Sequence, residues 1–292
     1  MLVLEQAYAK INLTLDVLGR RSDGYHEVDM VLQSVDLSDQ IWLERLDGED
    51  QRIVMESAAT NIPLDGRNLA VAAAQVFFRK TDIHLGGVHI HLDKHIPVAA
   101  GLAGGSSDAA AVLRGLNRLY QVGLSMEDLA MLGAEVGSDV PFCVYGGCAV
   151  ARGRGEQLTR VTHGLRGWVV LLKPPLFVST ADVYQALTPA RYSSVPTSDA
   201  MVEALQLGDI SLVERRFFNG LQPVTLEMYP EVAVLKQRME QVCGSRVFMS
   251  GSGPTLFVLA PTQASGQRIY NAFRGFAKDV HLVRLLQAEE FH

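Results

Sequence analysis

The sequence predicts an α+β protein in two parts, and three observations carry that reading. Residues 9–18, AKINLTLDVL, alternate apolar and polar side chains through Val17. The bare stretch PVAAGLAGGSSD, residues 97–108, runs directly into a helical pattern. From residue 167 onward, strands and helices follow one another in a split βαβ order.

Each element has its own signal. In residues 9–18, Ile11, Leu13, Leu15 and Val17 fall on one face and Lys10, Asn12, Thr14 and Asp16 on the other. That is the period of a half-buried strand. GRRSDGY is a turn cluster, and HEVDMVLQSVDL (26–37) resumes as strand. RNLAVAAAQVFFRK (67–80) reads as a helix and GVHIHLDKH (87–95) as a strand. After the bare stretch, Ala111, Val112, Leu116 and Leu119 form a helical stripe, with Ser106 or Ser107 as the expected N-cap. SMEDLAMLGAEVG opens with Ser125 and carries Asp128 three residues on, a capping-box-like start. It ends at Gly137, before SDVPF and the strand GGCAVARG. A composition shift over 156–167 marks the expected boundary between domains 1–160 and 161–292. Beyond it come the strand GWVVLLKP and helical stretches around 180–188, 198–207, 210–219 and 230–242. RVFMS, a GSG turn, PTLFVLA, a helix over 263–276 and the strand VHLVRLL complete the order. A short sheet with helices on one face satisfies it.

Composition narrows the function classes. The 292 residues carry a formal net charge of -6, 48% hydrophobic and 20% charged residues. This is a soluble globular chain with ample core. It has no basic run longer than a pair such as Arg20-Arg21, whereas nucleic-acid binding through phosphate neutralisation calls for a basic face, so no nucleic-acid partner is expected. Three sparse cysteines, Cys143, Cys148 and Cys243, fit neither a disulfide framework nor a structural zinc and agree with a reducing compartment. The N-terminus has no basic n-region, and Lys173 and two prolines break the run WVVLLKPPLFV. No signal peptide and no membrane span are expected, and the expected address is cytoplasmic.

The stretch 97–108 holds three glycines, three alanines and two serines at a helix N-terminus. Unpaired amides and the positive end of the helix dipole favour an anion there, and glycines allow close approach to the peptide plane. A phosphate chain is the natural guest, although a flexible strand-to-helix connection has the same composition. Neither G-x-x-x-x-G-K-[ST] nor G-x-G-x-x-G is present.

Three separated pieces, AYAKINLTLDVLGRRSDGYHE, PVAAGLAGGSSDAA and FMSGSGPTLFVL, together resemble the three motifs of the GHMP kinases. The first piece, with VLQSVDLSD, narrows the resemblance to the branch acting on 4-diphosphocytidyl-2-C-methyl-D-erythritol in the non-mevalonate isoprenoid pathway. The resemblance covers essentially the whole chain. It implies a two-domain GHMP kinase architecture, with an N-terminal α/β domain, a ferredoxin-like C-terminal domain and the active-site cleft between them. It implies ATP as phosphoryl donor, Mg²⁺ as cofactor, and the cytidine-bearing alcohol as small-molecule substrate, phosphorylated on its tertiary 2-hydroxyl.

The resemblance also implies roles. Asp139 matches the catalytic aspartate, a carboxylate that can orient a weakly acidic alcohol and accept its proton. Taken alone it reads as a cap or turn residue. Lys10 matches the lysine beside the acceptor hydroxyl, where a cation favours developing negative charge. Asn12 would bind the acceptor's hydroxyls or orient Lys10. Tyr25 and His26 match the pair that grips cytosine, one by a stacking face and the other by an edge that can donate and accept. Tyr184 matches the second stacking face. Pro97, Val98, Ala99, Ala100, Gly101, Leu102, Ala103, Gly104, Gly105, Ser106 and Ser107 would wrap the ATP phosphates, with Ser106 or Ser107 near the metal. Asn68 matches a residue near the adenine, and by itself passes for a helix N-cap. Gly251 and Gly253 would bring a tight turn to the substrate side. Ala99, Ala100 and Ala103 stand where glycines are common in the family, and the magnesium ligands stay open. His89, His91, Asp93 and His95 share a strand face, which reads as a solvated face because magnesium prefers oxygen ligands. Two other readings are a GHMP kinase for a different alcohol, such as homoserine or mevalonate, and a nucleotide sensor without turnover. The DGYH turn argues against the first and the Lys10–Asp139 pair against the second.

Overall fold

The computed structural model describes residues 1–48, 52–81, 83 and 86–291. The chain forms two compact units, each built from separated segments. Cys143, Cys148 and Cys243 form no disulfide, and no helix among the described residues is long and apolar enough to cross a membrane.

The first unit contains Met1–Ala9, Leu37–Val98 and Ala103–Gly146. Its strands come from β1 (Leu2–Arg20), β2 (His26–Leu46), β3 (Ile53–Ser57) and β4 (Gly87–Asp93), and its helices are α1 (Leu69–Lys80), α2 (Gly104–Tyr120), α3 (Met126–Val136) and α4 (Val140–Tyr145). The sheet order is β3-β4-β2-β1. β4 pairs antiparallel with β2, Trp42 facing His91, and parallel with β3, Met55 facing Ile90. One face, with Ile41, Leu43, Met55, Ile90 and Leu92, is buried. Helix α2 lies on it closely enough that a side chain at Gly115 would run into Leu43. The opposite face carries Trp42, His89 and His91, with Glu56 accepting from His91 at 3.0 Å. No group of three His, Cys, Asp or Glu among the described residues is arranged to hold a metal.

The second unit contains Lys10–Asp36, Ala99–Leu102 and Gly147–His292. Its first sheet joins β1 and β2 to β5 (Cys148–Gly153), β6 (Gln157–Arg160) and β8 (Phe218–Asn219), after β7 (Trp168–Leu172), α5 (Thr180–Gln185), α6 (Ser198–Gln206) and α7 (Ile210–Arg216). Then follow α8 (Gln222–Met228), α9 (Pro230–Cys243), β9 (Phe248–Met249), β10 (Leu256–Ala260), α10 (Gln263–Arg274) and β11 (Val280–Arg284). The second sheet is antiparallel throughout, in the order β11-β7-β10-β9. This is the split βαβ arrangement that the element order predicts. Val170, Leu172 and Val258 of the sheet share a core with Val232 and Met239 of α9 and Phe273 of α10.

Several expectations change. The strand at 9–18 is not half-buried: Lys10, Asn12, Thr14 and Asp16 are all buried too. Buried polar groups on this face are held by directed bonds, as when Val31 N donates to Thr14 Oγ1 at 3.0 Å. Neither Ser106 nor Ser107 caps α2; Ala103 does, in a left-handed conformation, so the helix starts at Gly104. The helix expected over 210–219 stops at Arg216, because Phe218 and Asn219 pair in parallel with Thr14 and Leu15. Strands β3 and β6 and helix α8 had no distinct sequence signal. The capping box at Ser125 and Asp128 is present.

Candidate active site

In the first unit, the start of α2 carries backbone amides that the helix itself does not use. Ala103 at the N-cap has φ 58 and ψ 28 and offers no side-chain hydrogen bond. The first intrahelical bond runs from Ser107 N to Ala103 O at 2.9 Å. The amides of Gly104, Gly105 and Ser106 therefore have no intrahelical acceptor, at the positive end of a long helix. Ser107 lies one turn further in, buried, its hydroxyl shared between the carbonyls of Tyr8 (2.6 Å) and Ala103 (3.1 Å). Ser106 is half-buried, and it is the serine whose hydroxyl a bound ion could reach. Left-handed alanine costs roughly 1–2 kcal/mol where glycine costs nothing, and such strain gathers at functional loops. Ala99 shares it, with φ 52.

Asn68 holds the start of α1. Its Oδ1 accepts from Ala70 N at 3.0 Å and its Nδ2 donates to Pro63 O at 2.8 Å. Asp139 stands between α3 and α4. It occupies the N-cap position of α4, yet its side chain makes no capping bond, so the carboxylate is not spent on the helix end.

In the second unit, three distant segments meet around Lys10. Its ammonium donates to Asn12 Oδ1 at 2.8 Å and to Gly101 O at 3.4 Å. Its backbone N–H donates to Leu102 O at 3.1 Å. The Ser250 hydroxyl accepts from Asn12 N at 3.3 Å and donates to Gly101 O at 2.9 Å. Gly101 has φ 73, and a Cβ there would overlap the Ser250 carbonyl and lie 3.0 Å from Gly253 O. Only glycine admits so close an approach. The turn carrying Gly251 and Gly253 thus packs on the middle of the glycine-rich stretch and on Asn12, whose Oδ1 is 3.4 Å from where a Cβ on Gly251 would lie. Asn219 adds a brace by donating to Met249 O and Gly251 O, each at 2.8 Å.

A second group is aromatic. The rings of His26 and Tyr184 lie 5.1 Å apart at 33°, and Tyr192 approaches His26 edge-on at 6.0 Å. Tyr184 is on α5, which Ser179 caps by accepting from Asp182 N. Burial, and then the charge of Arg20, hold the His26 imidazole below its ordinary pKa. At neutral pH it is a neutral ring with one donor and one acceptor nitrogen. Tyr25 is 53% exposed, with the Arg154 guanidinium over its ring at 4.9 Å.

These sites bear on kinship. The family model for the GHMP kinases N terminal domain matches residues 68–147, and that for the GHMP kinases C terminal matches residues 201–279. The chain is 50% identical over 291 residues to a Brevibacillus brevis protein, covering 99% of this chain and 98% of that one. The chain belongs to the GHMP kinase family. The Brevibacillus relative is named 4-diphosphocytidyl-2-C-methyl-D-erythritol kinase, as is a Geobacillus thermodenitrificans protein 53% identical over 282 residues, 96% of each chain. A crystal structure of 4-(cytidine 5'-diphospho)-2C-methyl-D-erythritol kinase superposes with a TM-score of 0.82 at 34% identity, covering 97% of this chain and 99% of that one. The two-domain GHMP kinase fold expected from the motifs is therefore the fold of this chain, and as a GHMP kinase it uses ATP. A mevalonate kinase from L. major, 16% identical with a TM-score of 0.76, shares the fold.

Ser250, Tyr192 and Arg154 were not legible as members of these groups. Ser250 had one available signal, a serine closing the apolar run VFM. Tyr192 and Arg154 had none, since each reaches its ring through tertiary contact.

Proposed function

We propose that this chain is an ATP-dependent kinase that phosphorylates the tertiary 2-hydroxyl of 4-diphosphocytidyl-2-C-methyl-D-erythritol. The observation that carries this reading is near full-length identity of 50–53% to two relatives bearing that enzyme's name. The acceptor oxygen forms a bond to the γ-phosphorus as the bond to the β-phosphate oxygen breaks and ADP leaves with that electron pair. Asp139 takes the hydroxyl proton. The Lys10 ammonium stabilises negative charge developing on the transferred group and its oxygens, and Asn12 orients it.

The open amides of α2 and the backbone of residues 97–103 cradle the phosphates, and Asn68 stands on the adenine side. Mg²⁺ neutralises phosphate charge when bound. It keeps several waters and needs few protein ligands, which suits the Ser106 hydroxyl and the oxygen-rich surroundings of a triphosphate. Tyr25, His26 and Tyr184 hold the cytosine, the tyrosines by their faces and His26 by its donor and acceptor nitrogens.

The test is acceptor-dependent ADP release with the cytidine substrate, homoserine and mevalonate in parallel. Turnover with the cytidine substrate alone is expected; turnover with either of the others instead would overturn the substrate assignment. Asp139→Asn should lower kcat by about 10²–10⁴-fold while ATP still binds. Near-normal turnover in that variant would remove Asp139 from the chemistry.

A further inference from the structure

We propose that Lys94, held between Asp39 and Asp108, is a positioning residue for the phosphate-binding stretch, its one ammonium tying the chain before Pro97 to the start of the second turn of α2, at Asp108. The proposal rests on the reading of residues 97–107 as the ATP site and says what sets the shape of that site. A stretch of glycine and alanine has few side chains to hold it, so its ends must be fixed by their neighbours.

All of the fixing groups lie in the first unit. Asp39 of β2 is fully buried. Its Oδ1 accepts from His95 N at 2.5 Å and Ile96 N at 2.7 Å, and its Oδ2 accepts from Lys94 Nζ at 2.5 Å. On the other flank, Asp108 Oδ2 accepts from the same Lys94 Nζ at 2.8 Å. A Cβ at Gly104, the first residue of α2, would fall 3.0 Å from Lys94 Nζ and 3.0 Å from the Ile96 side chain. The helix thus begins with a glycine where the clamp passes.

The charges explain why two acids can share one ammonium here. Asp108 is buried and its Oδ1 has no hydrogen-bond partner among the described residues. Burial outweighs the attraction of Lys94 and raises the Asp108 carboxyl to about 8. Asp39 and Lys94 are the charged groups acting on it. An upward shift at Asp108 lessens the negative charge that two buried acids would set beside a site for a polyanion, and Asp108 accepts the ammonium's hydrogen bond in either state. Asparagine at 108 would keep that acceptor, whereas alanine would not.

The experiment measures ATP affinity by titration calorimetry, together with KM for ATP and for the acceptor, in wild type, Asp108→Ala, Asp108→Asn and Lys94→Met. Asp108→Ala and Lys94→Met should weaken ATP binding about tenfold or more, with the acceptor KM unchanged. Asp108→Asn should bind ATP within about twofold of wild type. Lys94→Met leaves Asp39 buried alone and can fail to fold, so the two Asp108 variants, with folding checked by thermal melting, decide the test. The clamp is wrong if folded Asp108→Ala binds ATP like wild type, if Asp108→Asn is as weak as Asp108→Ala, or if both KM values rise together. Wild type that binds no ATP overturns the ATP-site reading itself, a separate failure.

Discussion

Lys10 and Tyr25 belong to the same compact unit and live in opposite surroundings. Lys10 is 4% exposed, with its ammonium and backbone bonded to Asn12, Gly101 and Leu102 and with Ser250 bridging behind. Tyr25 is 53% exposed at the end of a turn, with Arg154 over its ring. Under the proposed function, the contrast separates two tasks. A group that stabilises charge during a chemical step gains from being held in advance, because reorganisation at that moment costs rate. A ring that stacks on an incoming base gains from standing open.

The largest test of this contrast is Lys10→Met. It should lower kcat by about 10²–10³-fold, the scale of losing one preorganised electrostatic donor, with a smaller change in the KM of the cytidine substrate. Steady-state kinetics on both substrates checks this; an effect confined to KM would erase the distinction. Tyr25→Ala should do the reverse. Loss of one stacking face is worth about 1–3 kcal/mol, so KM for the cytidine substrate should rise about 5- to 150-fold with kcat close to wild type. A kcat collapse there would move Tyr25 out of the open recognition surface.

The smallest expected effect concerns pH. Since His26 titrates below the ordinary imidazole value, it stays neutral through neutral pH. KM for the cytidine substrate should be flat there and rise a few-fold only as the pH falls below that value and protonation removes the acceptor nitrogen. The same limb should be missing from the His26→Gln profile. A limb that survives in that variant belongs to another group.

Much of this arrangement was legible beforehand. Alternation placed Lys10 and Asn12 on one face of a strand, and the structure finds them 2.8 Å apart through their side chains. Ser125 and Asp128 marked a helix start by local chemistry alone. Ser106 and Ser107 misled for an instructive reason. Cap rules assume an extended residue before the helix, and the left-handed Ala103 begins α2 earlier. Composition does not reveal strain in an alanine. Phe218 and Asn219 read as helix in the sequence because a strand of two residues has no periodicity of its own; only pairing with β1 defines it.

The sequence by itself determined the elements whose signals are local, such as strand alternation, helix caps and the split βαβ order, along with the three motifs that carry the kinship. Tertiary structure alone decided that the polar face of β1 is buried, that Gly101 meets Ser250, and that Lys94 is shared by Asp39 and Asp108. The reason is range. Periodicity and capping arise from neighbours a few residues apart, whereas burial of a charge depends on partners the chain delivers from far along its length.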